Sequence, residues 1–317
     1  NESQEFYEDD FEETEEDTRI LRIDPKLESA TWINKEKPWM VRREKYITDG
    51  RVIPDGKLGK RLKRKRADYI LYYGYDYPIA IVEAKHRFKD ATDGMDQAIN
   101  YAEMIGVKFA YSTNGETIEE WDLTTKKQTT ISEFPTPQQL WDRLHSENKV
   151  PEDKKELMLK PFNRQSNSPE GGIIEPRYYQ EQAVNNALSA IFRGQKQILL
   201  ALATGTGKTY IAFQIAWRLW NSKEPKPKIL FLTDRDALLT QAYNKDFAPF
   251  DNARKRIRGK KAESHDMYFA LYQALDVDKE EGTKEIELYR QYEPDFFDYV
   301  IIDECHRGVS EDGNWRN

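Results

Sequence analysis

The sequence predicts an α/β protein of two domains, and three observations lead to that prediction. At 317 residues the chain is too long for one ordinary domain. From residue 173 onward, short apolar segments alternate with amphipathic ones, as in a parallel sheet covered by helices. A polar stretch with prolines and glycines lacks sustained periodicity and is typical of a connector. The predicted organisation is an acidic head over 1–17, a first domain over 18–145, the connector over 146–172, and a second domain over 173–317.

Charge is distributed unevenly along the chain. The formal net charge is −7, but residues 1–17 hold ten acids and no base, so the remainder carries 49 bases against 46 acids. We expect the acidic head to be mobile. One basic cluster favours a polyanionic partner over a merely solvated loop, because it lies just before a candidate catalytic strand. Its members are Lys57, Lys60, Arg61, Lys63, Arg64, Lys65 and Arg66.

Composition also limits the protein class. Hydrophobic residues make up 38% of the chain, enough for two compact cores. No apolar run approaches the length of a membrane span, and the acidic N-terminus is unlike a secretion signal. A single cysteine, Cys305, cannot form an internal disulfide and suits a reducing compartment. We therefore expect a cytoplasmic protein with no membrane partner.

Residues 66–86 predict two strands joined by a tight turn, over 68–73 and 79–85. If the turn is symmetric about Tyr75 and Asp76, residues whose numbers sum to 151 lie opposite each other. Asp68 and Glu83 satisfy this condition, so their side chains share one face with Cβ atoms about 4.5–5.5 Å apart. Lys85, two residues beyond Glu83, lies on the same face.

Two carboxylates this close repel each other unless a cation lies between them. A hard divalent cation such as Mg²⁺ is the natural choice, and it lowers the pKa of water so that water can attack phosphorus. We expect Asp68, Glu83 and Ala84 to bind the metal, and Lys85 to orient the water and stabilise charge on the phosphate. A following helix places Gln97 and Tyr101 on one face, where both can donate hydrogen bonds toward the site.

Residues 197–219 predict a buried strand, a glycine-rich turn and a helix. Gly205 and Gly207 let backbone N–H groups approach phosphates at the positive end of the helix. Lys208 would reach the β- and γ-phosphates of ATP, and Thr209 would bind Mg²⁺. The loop that we expect to bind the nucleotide consists of Ala203, Thr204, Gly205, Thr206, Gly207, Lys208 and Thr209.

A second strand, beginning near Phe297, ends in Asp303 and Glu304. An acid at the carboxyl end of such a strand is suited to hold the Mg²⁺ of a nucleotide, which is the role we expect for Asp303. Glu304 would orient or deprotonate the attacking water.

These residues resemble known motifs. Asp68, then Glu83-Ala84-Lys85, then Gln97 and Tyr101 resemble the PD-(D/E)xK nucleases of the RecB-like branch, although Ala67 replaces the proline of that pattern. The resemblance implies a restriction-endonuclease-like α/β/α domain. A fourth acid often comes from an early helix in that fold, and Glu15, Glu16 and Glu28 remain candidates.

The loop ATGTGKT and the sequence DECH resemble motifs I and II of superfamily 2 helicases, which implies a RecA-like P-loop domain with ATP and Mg²⁺ as cofactors. Gln180 resembles the motif that reads adenine in those proteins, with Arg177 nearby. The sequence ends soon after motif II, so we expect this piece to bind ATP weakly and to turn it over poorly.

A RecB-like nuclease followed by a superfamily 2 motor resembles the R subunit (HsdR) of type I restriction enzymes. That resemblance implies ATP-dependent translocation along double-stranded DNA coupled to Mg²⁺-dependent cleavage of both strands. It also implies separate M and S methyltransferase subunits as partners, in the cytoplasm of a bacterium or archaeon.

Two alternative functions remain open. One is another nuclease–helicase fusion, such as a single-chain or type III restriction enzyme or a repair helicase. The other is an ATP-gated DNA-binding module that does not cut.

Overall fold

The structure is a computed structural model of the whole chain, and it divides into two compact units, 1–150 and 151–317. The division falls inside the predicted connector. The residues that the structure describes are 13–48, 52–55, 58–61, 65–147, 150–165, 172–221, 225–257, 264–272 and 292–305. Among them no helix is both long and apolar enough to cross a bilayer.

The first unit is built on a mixed six-stranded sheet with the strand order β1-β4-β5-β6-β7-β8. Strands β5 and β6 are parallel, and the other neighbours in this sheet are antiparallel. A separate hairpin joins β2 and β3. The strands are β1 (Val41–Thr48), β2 (Val52–Asp55), β3 (Leu58–Arg61), β4 (Lys65–Gly74), β5 (Tyr77–Ala84), β6 (Phe109–Thr113), β7 (Ile118–Asp122) and β8 (Lys127–Ile131).

Four helices accompany this sheet, α1 (Glu15–Thr18), α2 (Asp24–Ser29), α3 (Met95–Ile105) and α4 (Pro137–Leu144). A π-helical turn, Arg19–Ile23, joins α1 to α2. Helix α3 forms the crossover that two parallel strands require, since it connects β5 to β6. It ends at Gly106, whose φ of 75° suits a residue without a side chain.

The predicted pairing of the central strands is confirmed. Tyr69 lies opposite Val82 and Ile70 opposite Ile81, so the residue numbers of each pair sum to 151 as expected. These four side chains are at most 2% exposed, because β4 and β5 lie in the middle of the sheet. The turn is shorter than predicted, since the two strands extend to Gly74 and Tyr77, with a bulge beside Tyr72.

The predicted acidic head ends earlier than expected. Residues 1–12 lie outside the described part of the chain, but Glu13 and the residues after it belong to the folded unit. Thr14 caps α1 by accepting a hydrogen bond from the Asp17 backbone N–H. Glu13 is 6% exposed and forms ion pairs with Arg22 and Arg87. Acidity alone suggested solvation, whereas these partners were not visible in the local sequence.

The second unit contains a parallel four-stranded sheet with the order β10-β11-β9-β12. It confirms the predicted α/β class. Aromatic rings fill its core, with Phe213 and Phe269 packed at right angles against Phe247. The elements are α5 (Glu152–Met158), α6 (Tyr178–Phe192), α7 (Lys208–Trp220), β9 (Ile229–Thr233), α8 (Asp236–Gln241), β10 (Arg254–Arg256), β11 (Met267–Leu271) and β12 (Tyr299–Ile302).

The strand predicted before the glycine-rich loop is not formed. Residues 197–203 lie beside β12 without pairing to it, and Leu199 is 79% exposed. A cavity of about 330 Å³ lies between the two segments, lined by side chains that include Leu200, Leu202 and Ile301. A strand forms only where its backbone groups pair with a neighbouring strand, and residues 197–203 have no such pairing.

The connector is also more ordered than the sequence suggested. Its residues 152–158 form α5, which buries Leu157 and Met158 in the second unit. Arg218 of α7 is 1% exposed and donates hydrogen bonds to the Met158 carbonyl and to Asn185 of α6. A buried guanidinium without such acceptors would be strongly destabilising, so α5, α6 and α7 are fixed together.

We predict that Glu13→Gln lowers the melting temperature at pH 7, because it removes the charge that binds Arg22 and Arg87. Hydrogen bonding to Arg22 lowers the pKa of Glu13 from 4.5 to about 2. The stabilisation is therefore complete above pH 4.5 and is lost as the pH falls through about 2. Thermal melts of both proteins should differ most near neutrality and converge toward pH 2. The exposed Glu15→Gln serves as the control, and a difference independent of pH would contradict the assignment.

Candidate nuclease and nucleotide sites

The first candidate site is the carboxylate pair at the open end of β4 and β5. The Ala84 backbone N–H donates to Asp68 Oδ2 at 2.8 Å, and the Asp68 backbone N–H lies 3.4 Å from Glu83 Oε1. Each carboxylate therefore reaches across to the backbone of the other strand. Glu83 is 1% exposed, and the side chain of Asp68 is 16% exposed. The structure thus brings together the two acids that the register predicted.

The electrostatics of this pair fit a cation. Burial, reinforced by the negative charge of Asp68, raises the pKa of Glu83 from 4.5 to about 9. The two carboxylates cannot both be charged at low cost unless positive charge lies close to them. Carboxylate oxygens and a backbone carbonyl, such as that of Ala84, are the ligands that Mg²⁺ prefers. The residues present therefore fit the metal that the motif implies.

Lys85 follows Glu83 and is held by close packing. Its positive charge opposes the rise in the pKa of Glu83, which places the ammonium near the pair. A Cβ atom on residue 94 would lie 2.8 Å from Lys85 Cε and 2.4 Å from Ser112 Oγ. Gly94 has φ −96° and ψ −6°, which any residue can adopt. Glycine is therefore needed here for space alone, and sequence reasoning did not identify that role.

Helix α3 turns Gln97 and Tyr101 toward the same region. The Gln97 amide lies 3.2 Å from the Tyr101 hydroxyl. The pKa of Tyr101 is raised by burial and then by the charges of Glu83 and Asp68, so its ring lies close to both acids. Tyr101 is 9% exposed, and Gln97 is exposed to solvent. Their mutual contact and the proximity of Tyr101 to the acids favour a place in the site.

The early-helix region brings an arginine to Asp68. Arg19 Nη1 lies 3.7 Å from Asp68 Oδ1 and 3.2 Å from Glu44 Oε1. Within the described residues no cluster of three or more His, Cys, Asp or Glu side chains could hold a metal, and the place of Glu15, Glu16 or Glu28 as a fourth acid stays a prediction. The sequence carried no signal for Arg19, because this contact depends on the π-helical turn.

Most of the predicted basic cluster lies outside the residues whose side chains are described. Lys65 and Arg66 are described, and they lie at the start of β4. Lys65 Nζ donates to Asn100 Oδ1 at 2.9 Å and lies over the Tyr101 ring at 5.9 Å. Arg66 forms an ion pair with Glu44 at 3.3 Å. Lys65 therefore lies beside Tyr101 and Arg66 beside Glu44, while the polyanion-binding role of the cluster stays a prediction.

The second candidate site is the glycine-rich loop before α7. Gly205 and Gly207 have φ of 79° and 84°, which side chains rarely allow. Thr206 folds the loop by donating from its hydroxyl to the Ala203 carbonyl at 2.7 Å. Thr204 lies in the turn itself, and Thr209 in the first turn of α7. The loop thus leads into a 13-residue helix whose N-terminus is suited to phosphate.

The loop is tied to the start of α6. Gln180 donates to the Thr206 carbonyl at 2.9 Å and accepts from the Arg177 backbone N–H at 2.9 Å. Tyr179 donates to the same carbonyl at 3.1 Å and accepts from the Arg177 guanidinium. A Cβ on Gly207 would lie 2.5 Å from the Gln180 amide nitrogen. Arg177 and Gln180 therefore lie at the loop as expected, and Tyr179 joins them.

The end of β12 faces this loop. The Asp303 backbone N–H continues the ladder by donating to the Leu232 carbonyl of β9, and Tyr272 donates to the Asp303 carbonyl at 2.8 Å. Burial and the neighbouring Glu304 raise the pKa of Asp303. Lys208 Nζ forms an ion pair with Glu304 Oε1 at 3.1 Å. Lys208, Asp303 and Glu304 are thus brought together.

Glu304 has a φ of 56°, rare for a residue with a side chain. Strained backbone of this kind is common at functional sites. Cys305, the next residue, is exposed and lines the cavity below the loop. His306 lies outside the described residues.

Comparison with known families agrees with this division. A family described as the N terminus of the type I restriction enzyme R protein (HSDR_N) matches residues 41–135. A second family, described as the res subunit of type III restriction enzymes, matches residues 173–317. Together with the folds and the sites, these matches define the class: a restriction-enzyme subunit with a nuclease-type domain before a helicase-type domain.

The individual relatives narrow this class. The chain is 39% identical over 311 residues to the EcoAI endonuclease subunit of a type I restriction enzyme from Escherichia coli, covering 96% of this chain and 37% of that protein. The EcoKI endonuclease subunit of Escherichia coli strain K12 is 27% identical over 364 residues, covering 93% of this chain and 29% of that protein. This chain belongs to the R (HsdR) subunit family of type I restriction enzymes, and it spans about a third of the length of these relatives.

A solved structure is similar to this chain and supports the same family. It is assigned as a fragment of the HsdR subunit of a type I restriction enzyme from Vibrio vulnificus YJ016. The match has a TM-score of 0.77 at 39% identity and covers 92% of this chain and 52% of that chain.

We predict that Gly94→Ala displaces the Lys85 ammonium, because the added methyl group would overlap the Lys85 side chain and Ser112 Oγ. Nuclease activity of the assembled enzyme on plasmid DNA should fall at least about tenfold, since small misplacements of catalytic groups are costly. Adding Ser112→Ala to Gly94→Ala removes the nearer of the two overlaps and should restore part of the activity. Undiminished cleavage by Gly94→Ala would show that the space beside Lys85 is dispensable.

Proposed function

We propose that this chain forms the nuclease and part of the motor of an enzyme that couples ATP-dependent DNA translocation to Mg²⁺-dependent endonucleolytic cleavage of double-stranded DNA. The observation that carries the proposal is the register of β4 and β5, which sets Asp68 against Glu83 with Lys85 beside them. The same chain carries a glycine-rich loop with Lys208 paired to Glu304. Nuclease and nucleotide chemistry on one chain favour an enzyme that moves on DNA and cuts it.

In the nuclease site, Asp68, Glu83 and the Ala84 carbonyl would hold Mg²⁺. When bound, the ion supplies a Lewis acid for a phosphate oxygen and lowers the pKa of water. Lys85, fixed by Gly94 and Ser112, would donate hydrogen bonds to the phosphate oxygens and stabilise the charge that develops there. Tyr101 and Gln97 would orient the DNA backbone from α3.

In the nucleotide site, the backbone N–H groups of the loop would surround the phosphates of ATP. Lys208 would exchange its ion pair with Glu304 for a contact with the β- and γ-phosphates. That exchange would free Glu304 to orient the attacking water, while Thr209 and Asp303 hold the Mg²⁺ of the nucleotide. Arg177 and Gln180 would contact the base.

The proposed partners are double-stranded DNA and the M and S subunits of a type I restriction complex. We expect those subunits to recognise the DNA sequence. The lysine and arginine side chains described in this chain suit contacts with phosphates, which carry no sequence information. The relatives named as type I endonuclease subunits support this assignment. The type III description of the second family concerns residues 173–317 alone and therefore bears on the motor part.

We predict that Asp68→Asn or Lys85→Ala in the assembled enzyme lowers plasmid cleavage by at least about a hundredfold, because each removes a group that acts on the phosphate or its cation. ATP hydrolysis should continue at the wild-type rate. Glu133→Gln, an exposed carboxylate in the same unit, is the matched control. Cleavage that survives both substitutions would refute the nuclease site.

We predict that Lys208→Ala reduces ATP hydrolysis by the assembled enzyme at least about a hundredfold, since it removes the cation that contacts the transferred phosphate. DNA cleavage that depends on translocation should fall with it, while assembly with the partner subunits persists. Lys196→Ala, an exposed lysine of the same unit, should hydrolyse ATP normally. Normal hydrolysis by Lys208→Ala would exclude the assigned nucleotide site.

A further inference from the structure

Arg19 is the feature of the nuclease site that the proposed mechanism leaves unused. It begins the π-helical turn between α1 and α2, and that turn directs its guanidinium onto β4. The side chain is 17% exposed, so the charge is partly withdrawn from water. Its contacts there are Asp68 at 3.7 Å and Glu44 at 3.2 Å. A charge that loses part of its hydration needs such partners.

Glu44, the other partner of Arg19, has an unusual backbone conformation. Its neighbours Arg43 and Lys45 pair with Tyr69 and Ala67, so Glu44 lies opposite Asp68 across the ladder. Its φ is 52°, which is rare for a residue with a side chain and rarer still within a strand. Backbone outliers of this kind persist where the surrounding structure imposes them and are concentrated at functional sites.

Asp68 therefore has both oxygens engaged. Oδ2 accepts from the Ala84 backbone N–H, and Oδ1 faces Arg19. A divalent cation that binds Asp68 must share Oδ1 with the guanidinium or displace it, because two positive centres at this distance repel each other. Arginine remains charged at any working pH, and its planar group matches two phosphate oxygens at once.

We propose that Arg19 is a further residue of the nuclease site, which neutralises Asp68 until a divalent cation binds and then moves to a non-bridging oxygen of the DNA phosphate. Glu44 holds the guanidinium at the edge of the site and so limits its competition with the cation. This inference rests on the proposed function, because it takes Asp68 to be a metal ligand.

The decisive measurement is a titration of the nucleotide-free chain with Mn²⁺, in which electron paramagnetic resonance gives the concentration of free Mn²⁺. Arg19→Ala should bind Mn²⁺ about three- to tenfold more tightly than wild type, since a competing positive charge is gone. Glu44→Gln should bind it more weakly, because the released guanidinium then rests on Asp68 alone. In the double variant the part of this effect that acts through Arg19 should vanish, and any remainder is assigned to Arg66, the other partner of Glu44. Arg43→Ala, whose partner is Asp24 rather than Asp68, is the matched control.

Cleavage gives the second readout. In the assembled enzyme at saturating Mg²⁺, Arg19→Ala should cut plasmid about ten- to a hundredfold more slowly despite its tighter metal binding, and Arg19→Lys should recover part of the rate. Thermal melts establish that each variant is folded. Unchanged Mn²⁺ affinity in Arg19→Ala, or normal cleavage by it, would overturn the proposal.

The same Mn²⁺ titration distinguishes failure of the Arg19 inference from failure of the proposed nuclease site on which it rests. Asp68→Asn should abolish the Mn²⁺ site. If wild type and Asp68→Asn bind Mn²⁺ equally, the proposed nuclease site is wrong and the role of Arg19 falls with it. If Asp68→Asn removes the site but Arg19→Ala leaves the affinity unchanged, the nuclease site stands and only the role of Arg19 is refuted.

Discussion

The juxtaposition of two carboxylates across one strand pair is the constraint on which the first unit depends. Asp68 and Glu83 approach each other because Tyr69 and Ile70 are locked in register against Val82 and Ile81. A slip of one residue would turn every side chain of one strand to the opposite face, and burial on both faces makes such a slip costly. The hydrophobic centre of the sheet thus maintains an unfavourable electrostatic arrangement.

Both candidate sites handle negative charge in the same way. In the first unit Lys85 and Arg19 lie beside the carboxylate pair, and in the second Lys208 is paired with Glu304. Each acidic group is therefore partly neutralised by a neighbouring side chain of opposite charge. The two units share this physical solution on different sheets.

Local patterns were sufficient where short-range geometry decides the structure. The tight turn at Tyr75 and Asp76 fixes the register of its strands, so counting residues across it located Asp68 opposite Glu83. Long-range contacts were not accessible in this way. Arg19 reaches Asp68 across 49 positions through a π-helical turn, and Glu13 is buried by arginines that lie later in the chain. The strand expected before the glycine-rich loop did not form for a related reason, since strand pairing depends on a neighbouring strand and not on apolar residues alone.

The position of Cys305 has a practical consequence. It is the single cysteine of this sequence, it is exposed, and it lies two residues after Asp303 in the lining of the cavity beside the candidate nucleotide site. A maleimide dye would therefore attach at one defined point, next to the strained Glu304 backbone. A change in its fluorescence would report nucleotide binding in real time, and no cysteine would have to be introduced into this sequence to attach the dye.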